Sequence, residues 1–183
     1  MMKSNILIIG LLTFIFLTFY SCKDEETPPV ENEEELITTV NLTFTDVAAG
    51  SEFVFTFRDT DGPGGNAPEQ FDTIQLEAMN EYVLSIELLN ESESPAEDIT
   101  EEVEEEGADH QFFFTPEPAS LITVSYDDAD VNGDPIGLLN SVMTNAAGTG
   151  TLNVVLKHQP GIKDGSSTTG ETDVELLFQL EVQ

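Results

Sequence analysis

The segment Asp128-Ala129-Asp130-Val131-Asn132-Gly133-Asp134 sets side-chain oxygens at alternate positions, with a glycine at the sixth place. That spacing suits a calcium loop: alternate side chains turn inward as oxygen ligands, and glycine permits the sharp bend around the ion. Asp59 and Asp61, in Asp-Thr-Asp-Gly, are further oxygen donors that a neighbouring loop can bring to the same ion. The string also reads as an acidic Asn-Gly turn that holds no ion. Imidazole is the second candidate chemistry. His110 continues the phase of Phe112 and Phe114, and His158 that of Leu152, Val154 and Leu156, so both rings are expected to point inward near a strand end. A neutral imidazole there suits a transition metal or a haem iron, and His110 beside the acids between Glu101 and Glu106 is the better placed of the two. Hydrogen-bonded rim histidines are the other reading. The sequence contains no Gly-x-Ser-x-Gly elbow, no His-Glu-x-x-His and no phosphate-cradling glycine loop ending in Lys. Carboxylate pairs are uninformative among 36 Asp and Glu, so no residue is assigned a catalytic role and a non-enzymatic protein is expected.

The charge balance narrows the partners. Only 5 Lys and Arg stand against those acids, for a formal net charge of -31. Nucleic acid is excluded, because a phosphate-binding surface needs clustered cations to displace counterions. Cations or basic partners are the natural complement. The calcium-like string is similar to the first half of an EF-hand loop, but Leu139 stands at the twelfth position, where that family places a bidentate Glu.

The amino-terminal region carries an address. Met1-Met2-Lys3 gives a positive start, and Ile6 to Tyr20 is apolar apart from Gly10, Thr13 and Thr18, which together describe a secretory signal peptide. It ends in Phe19-Tyr20-Ser21-Cys22, with a small residue before the single cysteine of the chain. This resembles the lipobox of bacterial lipoproteins, with Phe19 and Tyr20 where that family prefers Leu and a small residue. The resemblance implies cleavage over residues 1–21 and acylation of Cys22, palmitate included. A lone Cys in an exported chain has no disulfide partner inside the chain, and an ordinary signal peptide with an incidental Cys is the alternative. Lys23-Asp24-Glu25-Glu26 is similar to the export signal that carries Bacteroidota-type lipoproteins to the cell surface. That implies a lipid anchor in the outer membrane with the domain displayed outward; a periplasm-facing position is the alternative. Residues 22–35 then form the acylated Cys and an acidic tether, able to hold a domain up to roughly 40 Å from the lipid.

The elements that must position the candidate ligands are strands. Val40, Leu42 and Phe44 alternate with polar residues, as do Phe53, Phe55 and Phe57, Tyr82 to Leu88, Ile122 to Tyr126, Leu152 to Leu156 and Val174 to Val182. With shorter segments at Ile74 and Leu76 and at Phe112 and Phe114, about eight strands are predicted over 36–183: an all-β, antiparallel sandwich or small barrel. One short surface helix is predicted in Ser94-Pro95-Ala96 onward to Gly107, with Ser94 as cap and Ile99 and Val103 as anchors. If the strands near 36–46, 53–59, 71–77, 81–91, 110–115, 121–127, 149–158 and 173–182 alternate in direction, loops 59–70, 92–109 and 128–148 share one acidic end. Loop 159–172 then lies at the other end, and His110 and His158 are separated. As a whole the chain resembles the small, single-sandwich lipoproteins of Bacteroidota-type envelopes, and with its acidic charge it is expected to be a binding or accessory domain for a cationic ligand or an envelope protein partner. A calcium-stabilised structural or adhesive module is the next reading, and an envelope hydrolase the third.

Overall fold

The computed structural model describes residues 35–183 apart from Pro63 and Glu93. The signal segment, Cys22 and the Lys23 to Glu26 string lie outside the described residues. Within them are eleven strands and one helix: β1 (Thr39–Asp46), β2 (Glu52–Arg58), β3 (Gln70–Phe71), β4 (Ile74–Leu76), β5 (Glu81–Asn90), β6 (Glu97–Asp98), α1 (Ile99–Glu105), β7 (His110–Glu117), β8 (Ile122–Tyr126), β9 (Leu139–Thr144), β10 (Gly148–His158) and β11 (Glu171–Val182). The first sheet runs β3-β2-β1-β5-β9-β8, with β6 paired to β5, and the second runs β4-β11-β10-β7. Neither closes into a barrel, so the fold is an all-β sandwich.

The core is the inward half of most alternations; in β2, Phe53 is exposed and Phe55 and Phe57 are only partly buried. Val40, Leu42, Phe44, Leu84 and Leu88 from the first sheet meet Phe112, Leu152, Val154, Leu156 and Phe178 from the second, and all are fully buried. Branched and aromatic side chains fill a pleated surface well, which is why these segments settle as strands. Tyr82 is buried as its phase predicts, whereas Tyr126 is partly exposed on the edge strand β8 and donates its hydroxyl hydrogen to Phe112 O at 2.8 Å.

Three local expectations are corrected. The predicted 71–77 strand divides between sheets: Phe71 pairs with Phe57 in the first, while Ile74 to Leu76 run parallel to Leu180 to Val182 in the second. The helix starts at Ile99, not near Ser94, because Glu97 and Asp98 are drawn into backbone pairing with Asn90 and Leu89. Asp98 is then the cap, accepting from Thr100 N at 2.9 Å, and Ile99 and Val103 are buried as anchors. Finally, the predicted loop 128–148 contains β9, which pairs with both β5 and β8. One extra strand reverses the direction of everything after it, so β10 ends at the end of the sandwich where β7 begins.

Candidate functional site

The register of β1 sets Thr39 opposite both Arg58 and Leu89, so the start of β1 and the ends of β2 and β5 meet at one end of the first sheet. Loop 59–69 and the segment leading to α1 therefore share that end, as alternation predicts. The loop between β8 and β9 joins them by stitching the two sheets together: Phe112 N donates to Ile136 O at 2.7 Å and Ile86 N to Leu138 O at 3.0 Å. Gly137 permits this close approach. Its φ is +92°, and a Cβ there would sit 2.8 Å from Phe112 Cβ.

Loop 159–170 is at this same end, contrary to the expectation. Gln159 N donates to Asp109 O at 2.6 Å, and Lys163 Nζ donates to Gly107 O at 2.7 Å and to Asp130 Oδ2 at 2.9 Å. Gln159, fully buried, closes the loop by donating from Nε2 to Ser166 O and Thr169 O. Lys157, whose role is opaque in the sequence, ties the far side through Thr172 Oγ1 at 2.7 Å.

Between the end of α1 and the β8–β9 loop lies a cleft of about 400 Å³. Ile136, Leu138 and Leu139 give it an apolar lining, and Glu104, Glu105 and Asp128 give it carboxylates. Helix α1 has no basic residue in its last turn, but the Lys163 ammonium meets Gly107 O just beyond it, so the carboxylates and not the helix end supply the negative charge of the cleft. Such a cleft complements a positive group carried on an apolar body.

The calcium string is spent differently from the expectation. Asp128 accepts from Gly137 N at 2.7 Å and Leu139 N at 2.9 Å, one bond to each oxygen. Asp130 Oδ1 accepts from Asn132 N and Asp134 N, and its Oδ2 faces the Lys163 ammonium. Burial pushes the Asp130 carboxyl up, but Lys163 and these backbone amides outweigh it and hold the group below its ordinary range. Each oxygen of Asp128 and Asp130 thus already has a backbone amide or lysine partner. Asp61 is bound by Asn66, with Nδ2 at 2.6 Å, and Asp59 is raised by burial and by the adjacent Asp61 carboxyl. Among the described residues, these aspartates form no set of three whose oxygens lie within 4.8 Å of one another.

The histidines do come together. β7 and β10 are antiparallel neighbours with His110 directly opposite His158, so both side chains take the same inward face. Their rings stack at 4.5 Å between centroids and 9° between planes, and Glu106 brings a third ligand atom within 4.8 Å. The predicted separation of the two fails because β9 was hidden in a segment read as loop. His110 is fully buried; its Nδ1 lies 3.3 Å from Glu106 O, and its Nε2 lies 3.5 Å from Glu35 Oε1 and 3.8 Å from Asp173 Oδ2. Burial, then the His158 charge, lowers the His110 pKa to about 4, so the imidazole is neutral at physiological pH. Burial, followed by Glu102, Asp173 and Glu106, raises Glu35 to about 7.

Glu35, Asp173 and Lys163 carry no motif and escape a reading by pattern. Glu35 reads as the last residue of the tether, yet its side chain is packed against His110. Asp173 is the unopposed residue of a bulge, since Leu156 faces Val174 while Lys157 faces Thr172, and the bulge turns its carboxylate toward His110. Only Lys163 leaves a trace, as one of very few cations in the chain. Comparison with protein-family models, with curated proteins and with solved structures finds no match for this chain.

Proposed function

We propose that this protein is an outer-membrane-anchored lipoprotein whose sandwich is a non-enzymatic binding or accessory domain. The domain is carried on an acidic tether, and its site takes a cationic ligand, or the basic side chains of an envelope protein partner. The observation that carries this reading is the cleft between α1 and the β8–β9 loop, where Glu104, Glu105 and Asp128 accompany the apolar Ile136, Leu138 and Leu139. An amine on an aliphatic stem matches both halves of that lining; an anion of the same shape matches only one.

Titration of the protein with n-hexylammonium, n-hexanol and n-hexanoate, followed by NMR, tests the site. Saturable shifts at Gly107, Ile136 and Leu138 with the ammonium, weaker with the alcohol and absent with the carboxylate, are expected, and Glu104→Gln with Glu105→Gln should abolish the difference. Equal response to all three, or none, removes the cleft from consideration. The anchor is tested separately: labelled palmitate should enter the wild type and not a Cys22→Ala variant.

A further inference from the structure

We propose that Glu106, His110 and His158 form a binding site for one divalent first-row transition ion of the zinc class. The first ground is that the backbone brings three ligand atoms together: a carboxylate oxygen of Glu106 and one nitrogen of each imidazole lie within 4.8 Å of one another. His110 and His158 face each other across the antiparallel pair of β7 and β10, which places both rings on one face of the sheet. Glu106 caps the end of α1 four residues before His110; its N–H donates to Glu102 O at 2.9 Å, and its carbonyl accepts from Asp109 N at 2.8 Å. Asp109 O in turn accepts at 2.6 Å from the N–H of Gln159, the residue after His158. The three ligands are therefore carried by one hydrogen-bonded frame of helix end, turn and paired strands.

The second ground is the state of His110, which is fully buried. A backbone carbonyl can only accept, so the 3.3 Å contact of Nδ1 with Glu106 O puts the ring proton on Nδ1, and a carbonyl on the other nitrogen is how metal-bound imidazoles are oriented in general. Nε2 then carries a lone pair and makes no hydrogen bond among the described residues. A buried ring nitrogen in that condition calls for a ligand such as an ion.

The stacking of the rings, 4.5 Å between centroids and 9° between planes, is what an ion must loosen. Ligand bonds of about 2.0–2.2 Å set donor atoms roughly 3.3–3.6 Å apart in a tetrahedral site. Starting from 4.8 Å or less, the atoms need to close by no more than about 1.5 Å, which rotation of the His158 ring and of the exposed Glu106 side chain supplies. Two imidazole nitrogens beside one carboxylate favour zinc over calcium, which takes oxygen ligands. Because Glu106 is exposed, the ion enters from solvent and keeps water as its fourth ligand. These residues are not those proposed to hold the ligand in the cleft, so the two sites stand or fall separately.

The full chain, purified in detergent without a histidine tag and stripped with chelator, is titrated calorimetrically with Zn²⁺ and with Ca²⁺ at pH 7.5, and its histidine ring signals are followed by NMR. One Zn²⁺ per chain, tighter than Ca²⁺, is expected. His110 and His158 are the only histidines of the sequence, and both ring signals should move with Zn²⁺ as the stack opens. Glu106→Gln, and His158→Phe, which keeps an aromatic ring in the stack, should each weaken Zn²⁺ by about tenfold or more. Glu104→Gln with Glu105→Gln should leave it unchanged. Absence of Zn²⁺ binding, a preference for Ca²⁺, movement of one ring signal or of neither, or an affinity that follows the Glu104 and Glu105 changes but not those at Glu106 and His158, overturns the proposal. Should His158→Phe fail to fold, Glu106→Gln on the exposed side chain and the wild-type ring signals still decide it.

Discussion

Replacing Lys163 by Met should destabilise the sandwich far more than the loss of a surface cation normally does. The Lys163 side chain is 5% exposed and that of Asp130 1% exposed, so their 2.9 Å contact is a buried ion pair, with Gly107 O as a second acceptor at 2.7 Å. Met keeps most of the apolar stem and removes the charge together with the donor to Gly107 O. Orphaning one partner of a buried pair costs about 3–5 kcal/mol. Asp130 retains the amides of Asn132 and Asp134, which points to the lower figure, about 3 kcal/mol. For a domain near 150 residues that corresponds to a melting midpoint lower by roughly 6–12 °C. Asp130→Asn in the same chain removes the orphaned charge, so the double variant should recover much of the loss. The pH dependence carries the matching sign. Asp130 titrates lower folded than its ordinary value of 3.8, so its contribution is complete above that value and is lost as pH falls through the depressed folded pKa. Lys163→Met should shrink that acid-side loss. Circular-dichroism melts of the three proteins at pH 7 and pH 3 read all of this. A single variant within about 0.5 kcal/mol of wild type, or a double variant less stable than the single, would refute the reasoning.

The Arg58–Glu91 ion pair is the contrasting case: with side chains 39% and 26% exposed, Arg58→Ala should leave the midpoint within the scatter of wild-type melts, and a clear drop would show that exposure is a poor guide here. Gly170→Ala should be severe, because φ is +76° and the new Cβ would lie 2.2 Å from His158 O, whereas Gly161→Ala, at φ +66° in open space, should cost only about 1 kcal/mol. Denaturant unfolding of the two separates steric clash from backbone strain, and equal losses would mean that the β10–β11 loop is free to move away.

What was legible in the sequence was whatever repeats at short range. Val40, Leu42 and Phe44 or Val174 to Val182 announce strands because every second side chain is apolar, and those segments are strands with that face buried. β9 escaped because its inward set is Asn140, Val142 and Thr144, with one apolar member. The two polar ones each donate a hydrogen bond, locally or across the fold: Asn140 Nδ2 to Gly137 O at 2.7 Å, and the Thr144 hydroxyl to Glu77 O at 2.7 Å. A strand that buries hydrogen-bonded polar groups has no hydrophobic period to detect.

The sequence by itself determined the all-β class, the inward faces of most strands, the acidity of one end, and the inward aim of His110 and His158. Only the tertiary structure decided which strands are neighbours. That choice stacked the two histidines, turned Asp173 inward through a bulge, folded Glu35 back against His110, and paired Lys163 with Asp130 of the calcium-like string. The physical reason is range: alternation is imposed by the pleat within a few residues, whereas pairing and register are fixed by closing two sheets over one core, a condition that joins residues more than a hundred positions apart, as in Glu35 and Asp173.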